Sequence, residues 1–146
     1  MGDDRAQDRP TVLIVDDTAV LRELIADVLS LEGYKTVTAA DGIDALRKLS
    51  QGERPCVILM DLAMPNMDGF ELAARVKARS EWESIPIVVL SALLPGRTVP
   101  DAAAHLAKPV PMTELLDTIS RHCGSPPQPP DHTEEPEAAG LSATSA

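Results

Sequence analysis

Three runs of four apolar residues, Val12-Leu13-Ile14-Val15, Val57-Ile58-Leu59-Met60 and Ile87-Val88-Val89-Leu90, each end in polar residues: Asp16-Asp17, Asp61 and Ser91 respectively. Runs this short and this uniformly apolar read as strands buried on both faces, as in a parallel sheet covered by helices. Between them the apolar spacing changes. Val20, Leu21, Leu24, Ile25, Val28 and Leu29 predict a first helix, which Gly33 stops. Asp41-Gly42 opens a second, carried by Ile43, Leu46 and Leu49 to Gly52, and a third starts near Asp68 with Phe70, Ala73, Ala74 and Lys77. Tyr34 to Thr38 reads as the second strand, Ala103 to Ala107 as the fifth, and Met112, Leu115, Leu116 and Ile119 mark the last helix. This alternation predicts an α/β fold, a five-stranded parallel sheet with right-handed crossovers and helices on both faces.

Open sheets of this kind bind ligands at the carboxyl ends of their strands. Here two strand ends deliver three carboxylates, Asp16, Asp17 and Asp61, to one rim. Carboxylates that close repel one another unless a cation sits among them. A hard divalent ion is the natural partner, and Mg²⁺ commonly takes one or two carboxylates, waters and a phosphate oxygen. Ser91 adds a hydroxyl, and Lys108-Pro109 after the fifth strand adds an ammonium. Phosphoryl transfer asks for positioning and charge neutralisation more than covalent help, so Mg²⁺ and Lys108 around Asp61 form a coherent set.

At these residues the chain resembles the receiver domain of bacterial two-component response regulators, of the chemotaxis-regulator type, over residues 11 to about 122. The family pattern is an acidic pair after the first strand, an acceptor Asp after the third, Ser or Thr after the fourth and Lys-Pro after the fifth. All stand here in order, and the segment Asp61-Leu62-Ala63-Met64-Pro65-Asn66-Met67-Asp68-Gly69-Phe70-Glu71-Leu72 is the most specific part of the match. The resemblance implies the flavodoxin-like strand order 2-1-3-4-5. It further implies Asp61 as phosphoacceptor, Mg²⁺ held by Asp16, Asp17, Asp61 and the Ala63 main-chain carbonyl, and phosphoryl oxygens held by Ser91 and Lys108. Of the acidic pair, the second member is the direct ligand in the family. His105 falls at the switch position usually filled by an aromatic. Ala63 and Leu93, placed beside the path of an attacking water, offer it no polar group.

Each residue also has a plainer reading. Asp16 and Asp17 suit the cap of the helix that follows. Asp61 could be a loop residue, Ser91 a strand-ending hydroxyl, Lys108 a solvated amine and His105 a half-buried residue on an edge strand. Four separate strand ends supplying acid, acid, hydroxyl and amine argue for a site.

The chain departs from the family between strands four and five. Only sixteen residues separate Ser91 from Lys108, and Pro95, Gly96 and Pro100 interrupt them. Proline and glycine oppose helix interiors. The crossover helix at this place, the family's helix 4, is therefore expected to be shortened or missing, with at most one turn near Pro100 to Ala103. That segment contributes to the family's usual output surface.

Residues 1 to 10 read as a polar arm, 11 to 124 as the domain and 125 to 146 as a disordered tail. The tail holds five prolines, four acids and no Lys or Arg, too little apolar surface to offset its ordering entropy. A net charge of −10 argues against nucleic acid as a partner, since phosphate backbones are met by basic patches. No apolar run approaches membrane-spanning length, and the polar start does not look like a signal peptide. Cys56 and Cys123 are the only thiols; the reading is a reducing cytoplasm and no disulfide framework.

The expected function is a single-domain response regulator: not an enzyme, but an acceptor of phosphoryl from a sensor histidine kinase or phosphotransfer protein that then changes its affinity for a protein target. Two alternatives stand beside it. One is a phosphotransferase or phosphatase working through an aspartyl phosphate. Asp16-Asp17-Thr18-Ala19-Val20 is faintly similar to the haloacid dehalogenase motif, with Thr18 where the second Asp should be. The other is a scaffold that works without phosphorylation.

Overall fold

The computed structural model describes residues 9–92 and 98–124. Five strands, β1 (Thr11–Val15), β2 (Lys35–Ala39), β3 (Val57–Asp61), β4 (Ile87–Ala92) and β5 (Ala104–Lys108), form one sheet in the order 2-1-3-4-5, every neighbouring pair parallel. Among the described residues three helices connect strands, α1 (Ala19–Leu31), α2 (Gly42–Ser50) and α3 (Gly69–Lys77), and a fourth, α4 (Met112–Cys123), follows β5. The doubly wound fold expected from the apolar runs is the fold observed.

Successive side chains of a strand point to opposite faces, and the central strands feed two cores. Leu13, Val15, Ile58, Met60, Ile87 and Val89 pack under α2 and α3 with Leu49, Leu72 and Val76. Val12, Ile14, Val57, Leu59, Val88 and Leu90 pack under α1 and α4 with Ile25, Leu29, Leu115 and Ile119. Double coverage is why these runs carry no polar residue until their ends. On α1 the apolar stripe is wider than the buried face: Ile25 and Leu29 are buried, whereas Val20, Leu24 and Leu31 are exposed. Asp41 and Asp68 each accept a hydrogen bond from the backbone N–H three residues on, at 2.8 and 2.9 Å, and so begin α2 and α3.

Between β4 and β5, residues 98–103 form a turn and no helix; the Ala102 N–H donates to the Val99 carbonyl at 3.2 Å. Pro95 and Gly96 lie outside the described residues, as do Leu93, the first eight residues and the tail after Gly124. Among the described residues, no helix is long and apolar enough to cross a membrane.

One expectation is overturned. Cys56 and Cys123 are joined in a disulfide, with Cα atoms 5.3 Å apart. Their separation of 67 residues gave no hint of this. The pairing arises because Cys56 immediately precedes β3, α4 ends at Cys123, and both side chains pack against the same core. Tyr34 fastens the same corner, its hydroxyl donating to the Gly124 carbonyl at 3.2 Å.

Candidate functional site

The strand order reverses direction between β1 and β3, and the residues that close these two strands are acidic. Asp16 is buried, Asp17 exposed and Asp61 8% exposed, and each offers a carboxylate oxygen within 4.8 Å of the others. Lys108 closes the group from the end of β5, its Nζ 3.3 Å from Asp16 Oδ2 and 3.3 Å from Asp61 Oδ2. Burial raises the Asp61 pKa above the ordinary aspartate value. The Lys108 ammonium opposes that rise, the Asp16 carboxylate adds to it, and the Ala63 N–H, hydrogen-bonded to the carboxylate, opposes it. One ammonium for three carboxylates leaves negative charge uncompensated. An all-oxygen donor set with excess negative charge suits a hard divalent cation such as Mg²⁺.

Local structure holds these groups in place. The Asp16 N–H donates to the Ala39 carbonyl at 3.1 Å, tying the end of β1 to the end of β2. Asp16 Oδ1 accepts from the Thr18 N–H at 2.8 Å, an Asx turn that precedes α1. Thr18 is the N-cap and no side chain caps it, so the capping role expected of the acidic pair is not the one Asp16 takes. Arg22, which the sequence reading missed, reaches back from α1 to donate to the Asp16 carbonyl at 2.6 Å. Six residues separate it from Asp16, a spacing that carries no signal for such a contact.

After Asp61 the chain turns sharply. The Gly69 N–H donates to the Leu62 carbonyl at 2.9 Å, and a Cβ on Gly69 would lie 2.6 Å from the Asp61 carbonyl oxygen. Only glycine permits this approach. Gly69→Ala is expected to cost about 2 kcal/mol as the backbone at Asp61 gives way. A urea midpoint equal to wild type would show that the loop yields freely. Beside Asp17 a cavity of about 350 Å³ opens onto this loop, lined in part by Ala63, Met64 and Pro65.

Ser91 lies on β4 one residue beyond Leu90, the register partner of Asp61, and opposite Ala107, the neighbour of Lys108. It is thus on the same rim. His105 is not part of the acidic cluster. It is paired with Val89 in register and exposed, and its Nε2 accepts from the Val99 N–H at 2.9 Å. Its imidazole ties the short β4–β5 connection to β5, a role its place in the sequence did not disclose.

The fold and this rim define a class: a doubly wound α/β protein with a carboxylate cluster at its topological switch point and a lysine reaching it from β5. The response regulator receiver domain family matches residues 12–120. The chain belongs to that family. It is 33% identical over 120 residues to protein PilG of Pseudomonas aeruginosa, an alignment covering 78% of this chain and 87% of PilG. With the sporulation initiation phosphotransferase F of Bacillus subtilis it shares 34% over 116 residues, covering 76% of this chain and 91% of that one. Among solved structures, the Vibrio cholerae chemotaxis protein CheY4 superposes with a TM-score of 0.71 at 37% identity, covering 78% of this chain and 98% of that one. The receiver domain of a Pseudomonas aeruginosa sensor histidine kinase, which has a magnesium ion coordinated in its active-site cleft, superposes with a TM-score of 0.73 at 31% identity over 80% of this chain and 99% of that one.

Proposed function

We propose that the chain is a single-domain response regulator that takes a phosphoryl group onto Asp61 and thereby changes its affinity for a protein partner. The observation that carries this reading is Asp61 itself: nearly buried, beside Asp16 and Asp17, with Lys108 3.3 Å from its carboxylate. Coverage of 87% and 91% of two curated relatives supports a unit built around one receiver. The donor is a phosphohistidine on a sensor kinase or phosphotransfer protein. The proposed compartment is the cytoplasm, where nucleotide-dependent kinases operate and where Cys56 and Cys123 are expected as thiols.

In the mechanism, an Asp61 oxygen attacks the donor phosphorus and the donor's histidine nitrogen leaves with the bonding pair. Asp16, Asp17, Asp61 and the Ala63 main-chain carbonyl would hold Mg²⁺, which when bound supplies charge neutralisation for the transferring group. Lys108 supplies the second positive charge, and Ser91 a hydroxyl for a phosphoryl oxygen. Drawn toward the new charge, Ser91 shifts β4, and His105 with the Val99 contact carries the shift into the β4–β5 connection. Ala63 offers an attacking water no side-chain polar group, which favours at most slow self-dephosphorylation and a role as phosphoacceptor.

Asp17 is the exposed member of the cluster and carries no salt bridge to Lys108. Asp17→Ala is expected to weaken Mg²⁺ binding by about tenfold or more in calorimetric titration while leaving the melting temperature of the metal-free protein near wild type. Mg²⁺ affinity unchanged in that variant would remove Asp17 from the metal site. Phosphotransfer profiling against purified histidine kinases of the host tests the whole proposal: label passing from no kinase, or label retained by Asp61→Asn, would defeat it.

A further inference from the structure

Asp41 stands outside the acidic cluster, at the turn between β2 and α2, yet its carboxylate spans two loops. One oxygen, Oδ1, accepts from the Asp44 N–H at 2.8 Å and begins α2. The other, Oδ2, accepts from the Asn66 side-chain amide at 3.0 Å. These two donors, the Asp44 N–H foremost and the Asn66 amide next, hold the Asp41 carboxyl below the usual aspartate range. Asn66 lies in the loop that leaves Asp61, three residues past Ala63, and adopts a left-handed backbone with φ of 69°. Such a conformation is uncommon outside glycine, although asparagine tolerates it best, and a side-chain hydrogen bond helps to hold it.

A second contact reinforces the same junction. Gly42, next to Asp41, packs so closely on Met67 that an added Cβ would lie 2.9 Å from its sulfur. Met67 is buried in the core under α2 and α3, and its N–H donates to the Pro65 carbonyl at 2.7 Å. The acceptor loop is therefore pinned at adjacent residues, 66 and 67, to the adjacent residues 41 and 42. From there the chain runs back through Pro65 and Met64 to Ala63.

We propose that Asp41 is a positioning residue for the cation site: through Asn66 it fixes the course of the loop that presents the Ala63 main-chain carbonyl, and so sets the affinity for Mg²⁺. The inference rests on the reading of that carbonyl as a metal ligand. Groups that orient a metal ligand without touching the metal commonly govern affinity by an order of magnitude or more. Asp41 acts here on a main-chain ligand, whose only means of orientation is the path of the loop.

The test separates this contact from the helix cap that the same carboxylate provides. Asn66→Gly leaves the left-handed backbone available and Asp41 free to cap α2, but removes the amide. Its Mg²⁺ affinity, measured by calorimetry, is expected to fall about tenfold. In the metal-free protein its Met67 and Gly69 amides should exchange with solvent faster than in wild type. The double variant Asp41→Asn/Asn66→Asp reverses donor and acceptor across the contact, keeps a side chain that caps a helix well, and leaves the net charge unchanged. It is expected to bring both readings back to within about twofold of wild type, as second-site restoration of a single contact should.

Wild-type affinity and exchange in Asn66→Gly would overturn the proposal, as would a double variant no better than Asn66→Gly, or a wild-type protein that binds no Mg²⁺. Phosphoryl uptake at Asp61 is followed separately by mass spectrometry. Its absence in a wild type that shows the predicted Mg²⁺ pattern would defeat the proposed function and leave the role of Asp41 standing.

Discussion

Asp61→Asn is expected to take up no phosphoryl group from acetyl phosphate and Mg²⁺ under conditions in which the wild type gains one. The loss should far exceed about a hundredfold, because the substitution removes the attacking oxygen and leaves an amide that is no nucleophile. Intact mass under acidic conditions, where an acyl phosphate survives, reads the result directly. Undiminished uptake by the variant would move the acceptor elsewhere on the rim.

The same substitution is expected to stabilise the metal-free protein. Burial raises the Asp61 pKa in the folded state above the ordinary value of 3.8, despite the opposing Lys108. Between the unfolded and folded pKa the folded state therefore binds more protons than the unfolded one, and stability falls as pH rises through that window. Above that window the wild type carries the whole of this penalty. Asp61→Asn removes it while the Lys108–Asp16 pair remains. Its melting temperature in a chelator at pH 7 should thus lie above that of wild type, the gap closing as the pH falls below about 4. A lower melting temperature for the variant at pH 7 would mean that the Lys108–Asp61 pair outweighs the cost of burying the carboxylate.

Breaking the Cys56–Cys123 link is expected to have the largest effect on stability. The link closes a loop across 67 residues. By the loop-closure argument its loss frees the unfolded chain by an amount worth about 4 kcal/mol. In a domain of this size that corresponds to a fall in melting temperature on the order of 10 °C. Oxidised wild type should show this fall when reductant is added, and Cys56→Ser should sit at the lower temperature with or without reductant. Two titratable thiols in air-oxidised protein, or a melting temperature indifferent to reductant, would count against the link.

The strand runs and the rim were legible in the sequence because their causes are local. A strand covered on both faces must be apolar throughout, so Val57 to Met60 shows itself without a partner, and the first polar residue after it, Asp61, marks the strand's end. Asp16, Asp61 and Lys108 were readable as a set because each closes its own strand, and parallel strands bring those ends to one edge. The shortened β4–β5 connection was equally visible, since Pro100 and the residue count bear directly on whether a helix fits; its described part, 98–103, is a turn.

Other features depended on distances that sequence spacing does not encode. Val20 and Leu24 have the same helical period as Ile25 and Leu29, yet they are exposed, because periodicity marks a stripe and only packing decides how much of it is covered. Nothing near Cys56 names Cys123, nothing near Asp41 names Asn66, and Arg22 gives no sign that it holds the Asp16 carbonyl. The sequence by itself determined the sheet, its order through the family pattern and the identity of the residues on its rim, because burial and turn chemistry act on neighbours along the chain. Only the tertiary structure decided which loops are fastened to which, because a hydrogen bond or a disulfide between distant segments depends on a few ångströms of geometry that the whole fold must first supply.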